Sequence, residues 1–364
     1  MNALNNNTMK TTSIYSDAVT LLKQLIETQS FSREEVDTAA LLKEFWNELS
    51  IPYEEKGFNI WVKNKFFSSD KPSILLNSHH DTVKPNKDWT KDPFVALEED
   101  EKLFGLGSND AGGALVSLMA TFRYFYDRAD LPFNLIMAAT AEEEISGKNG
   151  IASIWDDLGE IDLAIVGEPT EMHLAIAEKG LMVIDMTAKG KSGHAARDEG
   201  VNAISIAMKD IQWFHSYHFA QESDYLGPVK MSVTVINAGT QHNVVPSECH
   251  FTVDVRTTDA YSNEETLEII KTHVKSEANA RSTRLNPSSI SADHPIVKAG
   301  LEMGRETFGS PTLSDQSLMP VQSLKMGPGR SQRSHQADEF IYLKEIEEGI
   351  QIYTELLERY AHTH

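Results

Sequence analysis

The chain has 364 residues, 40% hydrophobic and 24% charged, with a formal net charge of -21. That length holds two domains of ordinary size, and the composition is that of a globular protein. The acid excess is a solvated surface without the basic patch that nucleic acid needs; no apolar run approaches the roughly 20 residues of a membrane span, and residues 1–10 lack the apolar core of a signal peptide.

Ala18, Leu21, Leu22, Leu25 and Ile26 recur at helical spacing. Ser32 and Glu35 have the spacing of a capping box ahead of a second helix through Leu41, Leu42 and Trp46. Strands and helices then alternate to about residue 170. Residues 74–76, 135–138 and 163–166 read as buried strands, residues 113–126 as an apolar helix and 151–158 as a short one. Such alternation predicts an α/β fold, a largely parallel sheet covered by helices on both faces.

After Thr170 the pattern changes. Residues 182–186 are strand-like, 201–214 helical, 229–236 and 250–255 alternate with period two, and 264–275 are helical again. This β-α-β-β-α series resembles a ferredoxin-like α+β unit. Cys249, the single cysteine, lies beside an alternating run and reads as a small sheet residue. With no disulfide framework, a reducing, cytoplasmic setting is expected. Residues 286–289 look like a return linker, α/β character resumes at His294, and residues 343–357 form a closing helix. The expected organisation is a catalytic domain over 1–173 and 289–364, interrupted by an inserted unit over 174–288.

Five short stretches end or follow apolar runs with metal-ligand residue types. They contain His79 and Asp81, Asp110, Glu142-Glu143-Glu144, Glu168 and His335. Each has an ordinary explanation alone: a turn histidine with a capping aspartate, a helix cap, a solvated acid run, a strand-to-loop turn. His80 is expected on the opposite face from His79, because strand neighbours alternate. In open α/β sheets, however, ligands bind beyond the carboxyl ends of the strands. Carboxylates crowded there repel by roughly 4 kcal/mol per pair at about 4 Å and an effective dielectric near 20. Protons or metal cations must neutralise them, and histidines among them favour a metal. Adjacent glutamates can then divide labour, one holding metal and one acting as general base.

The order and spacing of these motifs, with Gly193-His194-Ala195, Asn243-Val244-Val245-Pro246 and Asp254-Val255-Arg256, resemble the dinuclear zinc aminoacylase and carboxypeptidase family. Within it the chain looks most like the acetylornithine deacetylase and succinyl-diaminopimelate desuccinylase group. The resemblance implies that Asp110 bridges two divalent ions, zinc or else cobalt or manganese. His79 and Glu168 would complete one site, and Glu144 and His335 the other. Glu143 matches the family's general base, Asp81 the residue behind His79, and the Asp110–Ala111 bond is expected to be cis. The inserted unit resembles the family's lid and dimerisation domain, which implies a homodimer. There His194 would cross to the partner's site as an oxyanion donor, and Asn243 and Arg256 would hold the substrate carboxylate.

Several positions depart from the family pattern. Ser78 stands where glycine is common, Glu142 where aspartate is common, Leu106 where arginine is common, and Ala111-Gly112 replaces Met-Lys. None removes a ligand. Arg330 and Arg333, close to His335, are polar additions whose planar forks suit a carboxylate or ureido group. The expected substrate is a small N-acyl amino acid: N-acetylornithine, or an N-acyl-citrulline, in arginine biosynthesis. Succinyl-diaminopimelate, a dipeptide or another acylated amino acid is the alternative. A non-catalytic binding protein of the same fold would be expected to have lost Glu143 or a ligand, and a nucleotide enzyme would need a phosphate loop that is missing.

Overall fold

The computed structural model of the chain describes residues 2–197 and 199–363. It divides into two compact units. One comprises residues 1–176, 290–308 and 314–364, the other residues 177–289 and 309–313.

The first unit is built on a mixed sheet. Side by side lie Tyr53–Lys56, Asn59–Lys63, Asn134–Thr140, Ser73–His79, Leu163–Val166, Ser323–Lys325 and Leu174–Glu178. The central four are mutually parallel. Antiparallel strands flank them on both sides. Central strands buried on both faces need apolar residues at successive positions, and these have them. Ile74 and Leu76 join one apolar cluster with Leu22, Leu42, Trp46, Phe122 and Tyr353. Leu75 points the other way, to Ile136, Ile151, Ile154 and Leu158. Each large side chain so buried contributes roughly 1.5–3 kcal/mol.

Helices Asn2–Glu27, Val36–Glu48, Gly113–Phe125 and Leu343–Ala361 supply the larger cluster, and Ile151–Leu158 the smaller one. The predicted capping box at Ser32 and Glu35 does not form. Glu35 sits at the N-cap of Val36–Glu48 without a side-chain capping bond. Both side chains turn to other partners, Ser32 to the Asp81 carboxylate and Glu35 to the Glu142 amide.

In the second unit an antiparallel sheet runs in the order Lys230–Ala238, Glu248–Arg256, Met182–Lys189, Glu277–Ala280. Helices Ala203–Ser216 and Asn263–His273 contribute Ala203, Ala207, Phe214 and Ile270 to its apolar cluster. Glu277–Ala280 completes the β-α-β-β-α-β arrangement; its short, half-polar sequence carried no strand signal. A capping box does form here, between Ser262 and Glu265. Cys249 is buried in the strand Glu248–Arg256.

Candidate metal centre

Parallel register sets the site. His79 pairs with Thr140 and Asn77 with Val166, so three strands end together. His79 is the last residue of its strand and is fully buried. Its Nδ1–H donates to the backbone carbonyl of Asp81 at 2.9 Å, with the Asp81 carboxylate further off at 3.4 Å. That bond fixes the tautomer and leaves the Nε2 lone pair facing the strand ends. His80 takes the opposite face. Its Nε2–H donates to the Phe58 carbonyl and its Nδ1 meets the Thr38 hydroxyl, both at 2.9 Å.

The Asp81 carboxylate has a second task. After Asn134–Thr140 the backbone leaves the sheet, and Glu142 adopts φ 55° in the left-handed region. The amides there have no ladder partner, and a buried unpaired amide costs roughly 1–3 kcal/mol. Asp81 accepts the Glu143 N–H at 3.0 Å and the Glu144 N–H at 3.2 Å. Ser32 Oγ donates to the same carboxylate at 2.7 Å, and Glu35 Oε1 accepts the Glu142 N–H at 3.0 Å.

Asp110 is not a helix cap. It lies in the turn Ser108–Gly112 ahead of Gly113–Phe125, and the bond to Ala111 is cis. Glu339, 2% exposed, organises this turn. It accepts the amides of Gly107, Asn109 and Asp110 at 3.1, 2.8 and 2.9 Å. Asn109 in turn binds the Arg330 backbone on the segment leading to His335, whose own φ is 60°.

The ligand-type atoms converge. His79 Nε2 lies 3.6 Å from Asp110 Oδ1, 3.7 Å from Glu168 Oε1 and 3.9 Å from Glu143 Oε2. His335 Nε2 lies 3.0 Å from Glu144 Oε2 and 3.5 Å from Asp110 Oδ2. His79, Asp110 and Glu144 form one triad with ligand atoms within 4.8 Å of one another, and His79, Glu143 and Glu168 form a second. His79 Nε2 is buried without a hydrogen-bond partner. A lone pair aimed at carboxylates 3.6–3.9 Å away has the spacing of atoms that share an ion about 2 Å from each. The donor set therefore fits divalent metal.

Electrostatics agree. Burial drives the Glu143 carboxyl well above its ordinary range and raises Glu144. Burial, with Asp110 adding to it, moves Glu168 up to about 8. The bond to Glu144 lifts His335 to about 9. Protons are held because the pocket demands positive charge, which cations also supply. Two further buried acids went unrecognised in the sequence. Burial and Asp110 push Glu339 up to about 8. Asp315, raised to about 6 by burial, accepts Asn77 Nδ2 at 2.8 Å and Thr140 Oγ1 at 2.7 Å beneath the strand ends. Neither lies in a motif that marks it: Glu339 is one of several acids near the C-terminal helix, and Asp315 sits among polar residues.

The remaining predicted residues have other partners. Arg330 pairs with Glu171 at 3.0 Å and is half exposed. Arg333 clamps Glu345 with two bonds of 2.6 and 3.0 Å and stacks on Phe340. Two of its nitrogens are thus engaged by Glu345 within the chain. A cavity of about 260 Å³ opens between Pro169, which follows Glu168, and Ser331 and Gln332; Thr170, His173 and Glu306 also line it. In the second unit, His194 pairs with Val244 on a two-stranded ribbon, and the Ala195 N–H donates to the Asn243 carbonyl at 3.0 Å. Arg256 ends the strand Glu248–Arg256 with its guanidinium on Asp254, at 2.9 and 3.1 Å.

Comparison with known proteins adds independent findings. Residues 75–359 match the model of peptidase family M20/M25/M40. An acetylornithine deacetylase of Proteus mirabilis is 27% identical over 376 residues, spanning 94% of this chain and 96% of the relative. A succinyl-diaminopimelate desuccinylase of a Ruegeria species is 27% identical over 298 residues, 76% of this chain and 73% of the relative. Among solved structures, the aminopeptidase PepT of Bacillus cereus superposes with a TM-score of 0.75 at 16% identity, covering 95% of this chain and 99% of that one. A dinuclear metal-binding peptidase of Bacillus subtilis gives 0.71 at 16% identity, covering 95% and 98%.

Proposed function

The chain belongs to peptidase family M20/M25/M40, a family of hydrolases of amide bonds, and from that premise we propose that it deacylates an N-acyl amino acid. The substrate we favour is N-acetylornithine or an N-acyl-citrulline, as a step of arginine biosynthesis. The carrying observation is the unpartnered, buried Nε2 of His79 facing Asp110, Glu143 and Glu168. Asp110, His79 and Glu168 would hold one divalent ion, and Asp110 with Glu144 and His335 a second. Two divalent ions held there, zinc by preference, would supply Lewis-acid polarisation of the acyl carbonyl and acidify water.

The chain's own residues do the rest. Glu143, anchored through its amide by Asp81, takes a proton from the attacking water and hands it to the leaving amine. Its burial keeps the carboxyl pKa high, which suits a group that must both accept and donate near neutral pH. Asp81 holds the His79 tautomer. His194, delivered from a second copy of the chain, donates to the developing oxyanion, and Asn243 and Arg256 hold the substrate carboxylate. The cavity beside Pro169 offers hydroxyl, amide, imidazole and carboxylate groups together with the apolar faces of Pro169 and Phe308, which would accept a polar amino-acid side chain with an apolar stem. Arg330 stands at its edge through Glu171.

The relatives divide between acetyl-ornithine and succinyl-diaminopimelate activities, so desuccinylation is the second reading. A panel of acetyl and succinyl derivatives of ornithine, citrulline, lysine and diaminopimelate tests both. The expected result is a preference in kcat/KM for ornithine or citrulline derivatives. Preference for succinyl-diaminopimelate would replace the first reading by the second. Failure on every compound with metal bound would reject amino-acid deacylation.

A further inference from the structure

Three consecutive amides carry the acid turn, and each ends on a carboxylate oxygen. Glu142 N–H goes to Glu35 Oε1, Glu143 N–H to Asp81 Oδ1 and Glu144 N–H to Asp81 Oδ2. Ser32, three residues before Glu35, completes the clamp by binding Asp81. Glu35 is 0% exposed, and its second oxygen, Oε2, has no partner. A buried carboxylate with one unused oxygen is costly for a protein to keep, and an apolar side chain of equal length would fill the same space. Packing therefore gives no reason for an acid at this position. The Glu142 amide does: Glu142 lies at φ 55°, off the sheet, and Glu35 is its acceptor.

We infer that Glu35 is a positioning residue for amide hydrolysis, fixing through the Glu142 amide the turn that aims Glu143 at its water. This rests on the reading of Glu143 as general base. Glu35 touches neither substrate nor ligand atoms; it reaches the acid turn through one backbone bond, while the amides of Arg33 and of Glu35 itself also face its carboxyl. An acceptor oxygen at that point is all the role requires, and a negative charge is not.

Two substitutions separate this role from structural filling. Glu35→Met keeps the volume and removes the acceptor; Glu35→Gln keeps the acceptor and removes the charge. Turnover is measured on whichever compound of the acyl amino acid panel the wild type cleaves fastest. Bound metal, melting temperature and hydrogen exchange of residues 141–146 are measured beside it. Glu35→Met is expected to fold, to melt no lower than the loss of one buried amide bond explains, and to hold its metal. Its kcat should fall by about tenfold to a hundredfold with KM nearly unchanged, and residues 142–144 should exchange faster. Glu35→Gln should restore turnover to within about threefold of wild type and restore slow exchange.

The inference is overturned if Glu35→Met keeps kcat, if its activity falls only in step with lost metal, or if Glu35→Gln is equally impaired. Should Glu35→Met not fold, Glu35→Gln decides alone: near-normal kcat with slow exchange supports the role, and a tenfold loss ends it. Glu143→Gln is run in parallel. If it retains turnover, the base assignment fails and this inference with it; if it is inactive while Glu35→Met is unimpaired, only the role of Glu35 fails.

Discussion

Asp81 accepts the backbone N–H of Glu143 at 3.0 Å, so the residue behind His79 also fixes the turn that carries the proposed base. One residue thus sets two geometries: its backbone carbonyl the tautomer of an imidazole, and its carboxylate the approach of a glutamate. The arrangement is economical for a site on irregular backbone, where neither a helix nor a ladder orients the amides.

Glu143→Gln should retain bound metal and lose turnover by about 10² to 10⁴, the usual contribution of a positioned acid–base group. Single-turnover kinetics with metal analysis of the same sample provides the check. Turnover near the wild-type rate would move the base to another residue.

Metal content should approach two ions per chain. Asp110→Ala should lose both, whereas Glu168→Ala and His335→Ala should each weaken one site. Unliganded carboxylates repel in the chelated protein, so restoring free ion to about a hundred times its Kd should raise stability by roughly 2.7 kcal/mol. Titration calorimetry and elemental analysis measure this. Full occupancy in Asp110→Ala would remove the bridging role.

Arg333→Ala should cost roughly 1.5–3 kcal/mol of stability, from the loss of charge-assisted bonds to Glu345, and leave KM alone. Arg330→Ala, at a half-exposed position, should leave stability nearly unchanged and raise KM. Urea unfolding and steady-state kinetics on both variants separate the two arginines. A raised KM in Arg333→Ala at unchanged stability would return it to substrate binding.

His80 gives the fold an acid-sensitive point. Burial lowers its pKa from 6.5 to about 4, so the unfolded chain takes up the proton first as pH falls. The stability of the neutral, buried ring is complete above pH 6.5 and drains between there and about 4. The loss amounts to roughly 2 kcal/mol by pH 5. Urea unfolding of wild type and His80→Gln at pH 7 and pH 5 should show the wild type losing that much more. Equal losses in the two proteins would assign the acid sensitivity to other groups.

Local pattern made much of this protein legible. The period-two and unbroken apolar runs located the strands, and the residues ending them, His79, Glu144 and Glu168, could be picked out because a chain leaving a sheet places its next side chains at the sheet's edge. The family resemblance added the pairing of ligands across 256 positions from His79 to His335, which no local rule reaches. Ser32 and Glu35 show the limit of the local reading. Their spacing satisfied a capping rule, but the rule sees only four residues of chain, and both side chains were drawn to Asp81 and Glu142, 49 and 107 positions away.

Sequence alone determined most of the element types and the acid and imidazole character of the strand ends, since these follow from side-chain periodicity and from residue identity. Tertiary structure alone decided which acids support and which face the pocket. Glu339, Asp315, Glu35 and the clamped Arg333 are ordinary polar residues until the fold brings distant backbone amides or carboxylates against them. A hydrogen bond between remote residues depends on coordinates in space, and the order of residues along a chain encodes those only through the whole fold.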